Sequence, residues 1–234
     1  MKQRNRTFYI IVVLVVLSVA FIGCNKENNG GGASGNNPTG DWVDMGLPSG
    51  LLWCSHNVGA YTPEECGGYY AWGETQTKYT YNWSTYQYGN DLDQITKYCN
   101  ASQCGYNNYT DHLTILVSGD DAAAVHMGNG ARIPTKEEWQ ELIYNTTITW
   151  TTQNGVAGCL FTASNGNSIF LPAGGNRWNS ELVYDGSEGY YWSSSLYTDN
   201  PNGAWSLYFE AGSYYTTYGR RDLGFCIRAV RSTH

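Results

Sequence analysis

The chain has 234 residues, a formal net charge of -7, and only 14% charged against 15% aromatic residues. An acidic chain is a poor partner for nucleic acid, whose phosphates call for a basic face. The excess lies in 20 Tyr and 9 Trp, large rigid side chains that serve both as core and as amphipathic contact surface.

In chain order, Lys2, Arg4 and Arg6 precede an apolar run from Phe8 to Ile22. The run is short for a bilayer span and sits behind basic residues, the pattern of a secretory signal. Its end, Ala20-Phe21-Ile22-Gly23-Cys24, resembles a bacterial lipobox, in which the cysteine is acylated and becomes the mature N-terminus. An uncleaved anchor is the alternative; either way the folded part lies outside the cytoplasm on a tether. Residues 25–40 carry no core-forming residue and read as that flexible tether. Lys26-Glu27 resembles the short charged signals that send lipoproteins to the outer surface. The division expected is therefore 1–23 leader, 24–40 tether with lipidated Cys24, and 41–234 domain. Loss of three leader cations makes the mature chain more acidic still.

The domain is long enough for one core. It opens with a short strand, a Pro/Gly turn and a second short strand over residues 42–53. Residues 79–109 are polar, aromatic and aperiodic, the pattern of a loop. Residues 120–127 predict a short helix with acids at its start and Gly128 after it. Residues 135–145 predict a second: Thr135 caps, Glu138 completes a capping box, and Trp139, Leu142 and Ile143 form one stripe. The rest is β-like, with strands expected at 169–172, 190–194, 204–210 and 225–230. Few helices and many short strands predict an α+β domain. Cys54, Cys66, Cys99, Cys104, Cys159 and Cys226 suit three disulfides in an exported chain, with the Cys99–Cys104 loop the easiest to close. His56, His112, His126 and His234 are scattered and no C-x-x-C pair occurs, so no zinc site is expected; a structural calcium stays open by fold analogy alone, and no cofactor is assigned. Asp120-Asp121 and Glu64-Glu65 read as helix starts, and no Ser-His-Asp set, H-E-x-x-H or phosphate loop is present.

Several segments together resemble one family. They are Val43-Asp44-Met45-Gly46-Leu47-Pro48-Ser49-Gly50-Leu51-Leu52-Trp53, Asn57-Val58-Gly59-Ala60, Tyr70-Ala71-Trp72-Gly73-Glu74, Arg132-Ile133-Pro134-Thr135, Gly166-Asn167-Ser168-Ile169-Phe170-Leu171-Pro172-Ala173 and Tyr191-Trp192-Ser193-Ser194-Ser195. They look like the Fibrobacter succinogenes major paralogous domain, a family of secreted and lipid-anchored bacterial surface proteins. Arg132 to Trp139 and Leu223-Gly224-Phe225 are also similar to the formylglycine-generating enzyme superfamily. That resemblance implies a C-type-lectin-like fold with two helices, small twisted antiparallel sheets and long irregular loops that hold a ligand. It also raises a copper-dependent oxidase, which needs a cysteine pair near the end of the chain. Here Cys226 stands in the terminal region and Cys159 well upstream, so a non-catalytic protein is expected.

The last fifty residues carry the candidate site. By period two, Trp205, Leu207 and Phe209 share a core face, and Ser206, Tyr208 and Glu210 an exposed one. Beyond Gly212, the residues Tyr214, Tyr215, Tyr218, Arg220, Arg221 and Asp222 read as an aperiodic loop rich in the types favoured at binding hot spots. The segment resembles the variable region of diversity-generating retroelement targets, in which randomised Asn codons yield Asn, Tyr, Ser, Asp and Thr. Ser195, Tyr197, Ser206, Tyr208, Ser213, Tyr214, Tyr215, Thr217 and Tyr218 have such identities. The expectation is a surface-exposed outer-membrane lipoprotein, held to the membrane by its lipid, that binds a protein or carbohydrate. Its contacts are expected at Ser195, Tyr197, Ser206, Tyr208, Tyr214, Tyr215, Tyr218, Arg220, Arg221 and Asp222. A structural subunit of a surface assembly is the further alternative.

Overall fold

A computed structural model describes residues 41–233. The leader, the tether and Cys24 lie outside the described residues. Two strands open the domain, β1 (Trp42–Asp44) and β2 (Leu52–Asn57), and a long irregular stretch follows. Helices α1 (Ala122–Met127) and α2 (Lys136–Asn145) come next. Nine further strands complete the described chain: β3 (Thr146–Gln153), β4 (Val156–Ala163), β5 (Ser168–Pro172), β6 (Gly174–Trp178), β7 (Glu181–Asp185), β8 (Glu188–Leu196), β9 (Gly203–Glu210), β10 (Ser213–Arg220) and β11 (Arg228–Arg231). They form three small sheets, ordered β1-β2-β11, β3-β4-β5 and β10-β9-β8-β6-β7. All ladders are antiparallel except the short β6–β8 contact at Gly175 and Gly189. The domain is α+β.

Both predicted helices form, and for the expected reasons. Asp121 caps α1 by accepting the Ala124 N–H at 3.0 Å, and Gly128 ends it with φ +60. At α2, Thr135 and Glu138 complete the capping box, and Arg132 clamps the Glu138 carboxylate with both terminal nitrogens. Trp139 and Leu142 are fully buried. The Trp139 indole N–H donates to the Trp192 carbonyl at 3.1 Å, and its ring lies 4.9 Å from that of Trp53. These contacts seat α2 between β8 of the five-stranded sheet and β2.

Residues 79–109 are irregular, as expected, but their aromatics are not loose. Tyr81, Trp83, Tyr86, Tyr88 and Tyr98 are buried, and Trp72, Tyr98, Tyr88 and Tyr86 meet edge to face in succession. Ring packing replaces backbone ladders there.

Three expectations need correction. The β3–β4 hairpin was not resolved into strands from the sequence, yet Asn154-Gly155 turns it with φ of +49 and +86, the two-residue turn that hairpins favour. The strand expected over 225–230 begins at Arg228; Phe225 and Cys226 make only isolated bridges, to Tyr70 and Tyr191. Residues 213–220 are not a loop but β10, paired with β9 along its whole length. As for cysteines, Cys54, Cys99, Cys104, Cys159 and Cys226 hold free thiols, so no three-bridge framework runs through them; the Cys99 thiol donates to the Ala101 carbonyl. No helix of the described residues is long and apolar enough to cross a membrane.

Candidate functional site: an aromatic cleft on the five-stranded sheet

The five-stranded sheet has two unlike faces. On the side of α2, Tyr191, Leu207 and Phe209 are fully buried, as the alternation in β9 predicts. Trp205 is half-buried at the margin of this face, with the Lys136 ammonium 3.6 Å above its ring. The opposite face carries a row of rings: Tyr215, Tyr208, Tyr190, Phe225 and Trp192, with successive centroids 5.2, 5.1, 5.0 and 4.0 Å apart. The row runs from exposed Tyr215 to fully buried Trp192.

Because 213–220 is a strand, its tyrosines part company. Tyr214 and Tyr218 lie opposite Phe209 and Trp205, on the α2 side; Tyr215 lies opposite Tyr208, on the other. All three are exposed, since β10 is the sheet's edge. Tyr218 stacks on Tyr197 at 4.1 Å with the rings nearly parallel. The sheet thus brings Tyr208 and Tyr215 together on one surface, and Tyr197 and Tyr218 together on another.

Four of the expected contact residues are buried instead. Arg221 is fully buried and donates to the carbonyls of Tyr98, Pro201 and Lys97 and to the Tyr86 hydroxyl, all within 3.0 Å. It is a bolt between the irregular stretch and the sheet, not a contact group. Asp222 is fully buried and accepts two hydrogen bonds from the half-exposed Arg220 guanidinium. Ser195 is 7% exposed, and its hydroxyl accepts the Lys136 N–H at the start of α2. Ser206 is 1% exposed because Trp192 on β8 and Thr217 on β10 flank it on the same face.

That last arrangement makes a depression. Gly203, Ser206, Thr217 and Gly219 are small residues beside large ones, and together with Phe225 and Leu223 they line a cleft of about 480 Å³. Gly219 is required by close approach: a Cβ there would lie 2.7 Å from the Phe225 ring. The β6–β7 hairpin walls the cleft with Asn176, Trp178, Val183 and Tyr184, and the Asn200 and Asn202 segment faces it. Trp178 and Tyr184 are 52% and 56% exposed. Comparison of the chain with protein-family models, curated proteins and solved structures gives no match.

The cleft and the ring row beside it present neutral phenols. Burial raises the Tyr190 hydroxyl well above its ordinary value, and the Glu188 carboxylate that accepts its hydrogen bond adds to this. Tyr208 is pushed up to about 12 by burial, Glu188 and Glu210. Both phenols therefore stay protonated donors at physiological pH. Burial likewise pushes the Cys159 and Cys226 thiols up to about 12, which keeps them protonated and poor nucleophiles. Trp178, Tyr184 and Asn176 were not anticipated from the sequence; the signal was a lone Trp between Arg177 and Asn179, in a segment too polar to need it as core.

Proposed function

We propose that the protein is a bacterial cell-surface lipoprotein, anchored through Cys24, that holds a protein or glycan ligand without catalysis. We read its two helices, small sheets and long irregular stretch as a C-type-lectin-like fold of the Fibrobacter succinogenes major paralogous domain type, with a retroelement-style variable region over its last strands. The observation that carries the binding reading is the cleft: an open apolar depression rimmed by exposed indole and phenol rings, with uncharged polar groups between them. Large aromatic rings left in water on a rigid sheet are contact groups. The oxidase alternative needs an accessible thiol pair, and burial of Cys226 and Cys159 favours binding over it.

The test is to apply the full-length chain to a printed array of glycans and extracellular proteins, beside a Trp178→Ala/Tyr184→Ala variant. A ligand retained by the wild type and lost by the variant, with unchanged melting, supports the reading. Equal retention places the contact elsewhere. Copper-dependent thiol oxidation that disappears in Cys226→Ala overturns it.

A further inference from the structure

We infer that the ligand of the cleft is an uncharged glycan, bound without a divalent cation, with a sugar ring laid on Trp178 and its hydroxyls at Asn176. The inference rests on the binding reading and narrows it. Along β6 the side chains alternate: Arg177 turns to one face, its guanidinium 5.3 Å from the Tyr69 ring, so Asn176 and Trp178 share the other. Asn176 is 6% exposed, lines the cleft, and receives no hydrogen bond to its side-chain amide from any described residue. A carboxamide in that position offers an acceptor and two donors, and leaving them unpaired when the cleft is filled costs free energy. Neighbouring sugar hydroxyls, each both donor and acceptor, meet that need in a way an apolar side chain does not. Beside it, the half-exposed Trp178 and Tyr184 offer flat apolar faces to the C–H face of a pyranose.

Charge selects among ligands. Arg220 is the charged residue of the lining, and its guanidinium is already engaged by the fully buried Asp222 carboxylate through two hydrogen bonds. The lining holds no free cation for an anionic sugar, phosphate or acidic peptide. It holds no carboxylate either; its polar groups beside Arg220 are carboxamides and hydroxyls, so no hard cation is recruited to bridge the ligand.

The experiment uses the full-length chain on a printed array of neutral oligosaccharides, anionic oligosaccharides and proteins, with and without EDTA. Titrations of Trp178→Ala, Trp178→Phe and Asn176→Asp follow with the best-bound neutral oligosaccharide, and melting curves control for folding. The expected result is retention of neutral glycans in EDTA, at least about a tenfold loss in Trp178→Ala at unchanged Tm, and near-normal binding in Trp178→Phe. Anionic glycans alone, loss of binding in EDTA, or undiminished binding by Trp178→Ala overturns the inference. Retention of a protein through the cleft, with every glycan silent, overturns the glycan while leaving the binding reading standing; silence from both classes removes the two together.

Discussion

Arg221 is the residue whose removal should be felt most. Its guanidinium sits between the Trp72 and Tyr86 rings, 4.9 and 5.3 Å from their centroids, while it serves four oxygen acceptors. Arg221→Ala strands those acceptors in a dry interior and opens a cavity, a loss of about 3–5 kcal/mol. For a domain of this size that lowers Tm by roughly 10 °C in a calorimetric scan. Arg221→Lys should not rescue it, because a point ammonium cannot span the fork; a variant melting like the wild type would show that the irregular stretch is held by its rings alone. In sequence, Arg221 looks like half of an exposed Arg pair. Its partners at Tyr86, Lys97, Tyr98 and Pro201 are distant along the chain, so its role exists only in the fold. Arg220 next to it does reach the surface, which no local property of the doublet distinguishes.

At the scale of elements, helices were legible and edges were not. Helix α2 carries its own punctuation, with Pro134, the Thr135 cap, Glu138 and one apolar stripe. Strand β10 has no fully buried face, so Ser213 to Arg220 shows no alternation of hydrophobicity, and the Tyr214-Tyr215 doublet conceals that the two rings leave the sheet on opposite sides. The small residues that shape the cleft are equally silent in sequence. Gly219→Ala tests their role: the added methyl meets the Phe225 ring, costs about 1–3 kcal/mol by overpacking, and lifts the cleft floor. It should weaken binding of the array-selected ligand more than Tyr214→Ala, which changes only the α2 side. The irregular stretch has its own pH response. Burial alone would raise Asp111, but the N–H groups of Cys99, Tyr98 and Leu113 outweigh it and hold its carboxyl below the ordinary value of 3.8. Asp120 is likewise lowered against burial by Lys97, Tyr98 and Tyr88. A depressed carboxyl stabilises the fold above its unfolded value and loses that contribution as pH falls through its folded value. Asp111→Ala should therefore cost about 1–3 kcal/mol at pH 7, and in urea titrations the gap to the wild type should close below about pH 4. Burial lifts Asp121 in the opposite sense, so a gap that widened in acid would assign the response to the wrong carboxylate.

For the whole molecule, the α+β class and the two helices were legible from patterning and turn residues. The residues that line the cleft were for the most part not legible in the sequence. The aromatic excess pointed to contact, and Tyr208 and Tyr215 do share a surface. Trp178, Tyr184 and Asn176, from a hairpin some thirty residues earlier, wall the cleft beside it because β6 and β8 come together in the sheet order. One face of the sheet is sealed by α2, and the other is hollowed into a cleft beneath exposed rings. The most direct measurement compares full-length wild type, Trp178→Ala/Tyr184→Ala, and a Tyr61→Ala/Tyr144→Ala control that removes two still more exposed rings elsewhere, on one printed array of glycans and proteins. The account predicts that the cleft variant loses at least about tenfold in binding while the control and all three melting temperatures stay unchanged. Equal binding by the cleft variant, or a loss shared by the control, would contradict it.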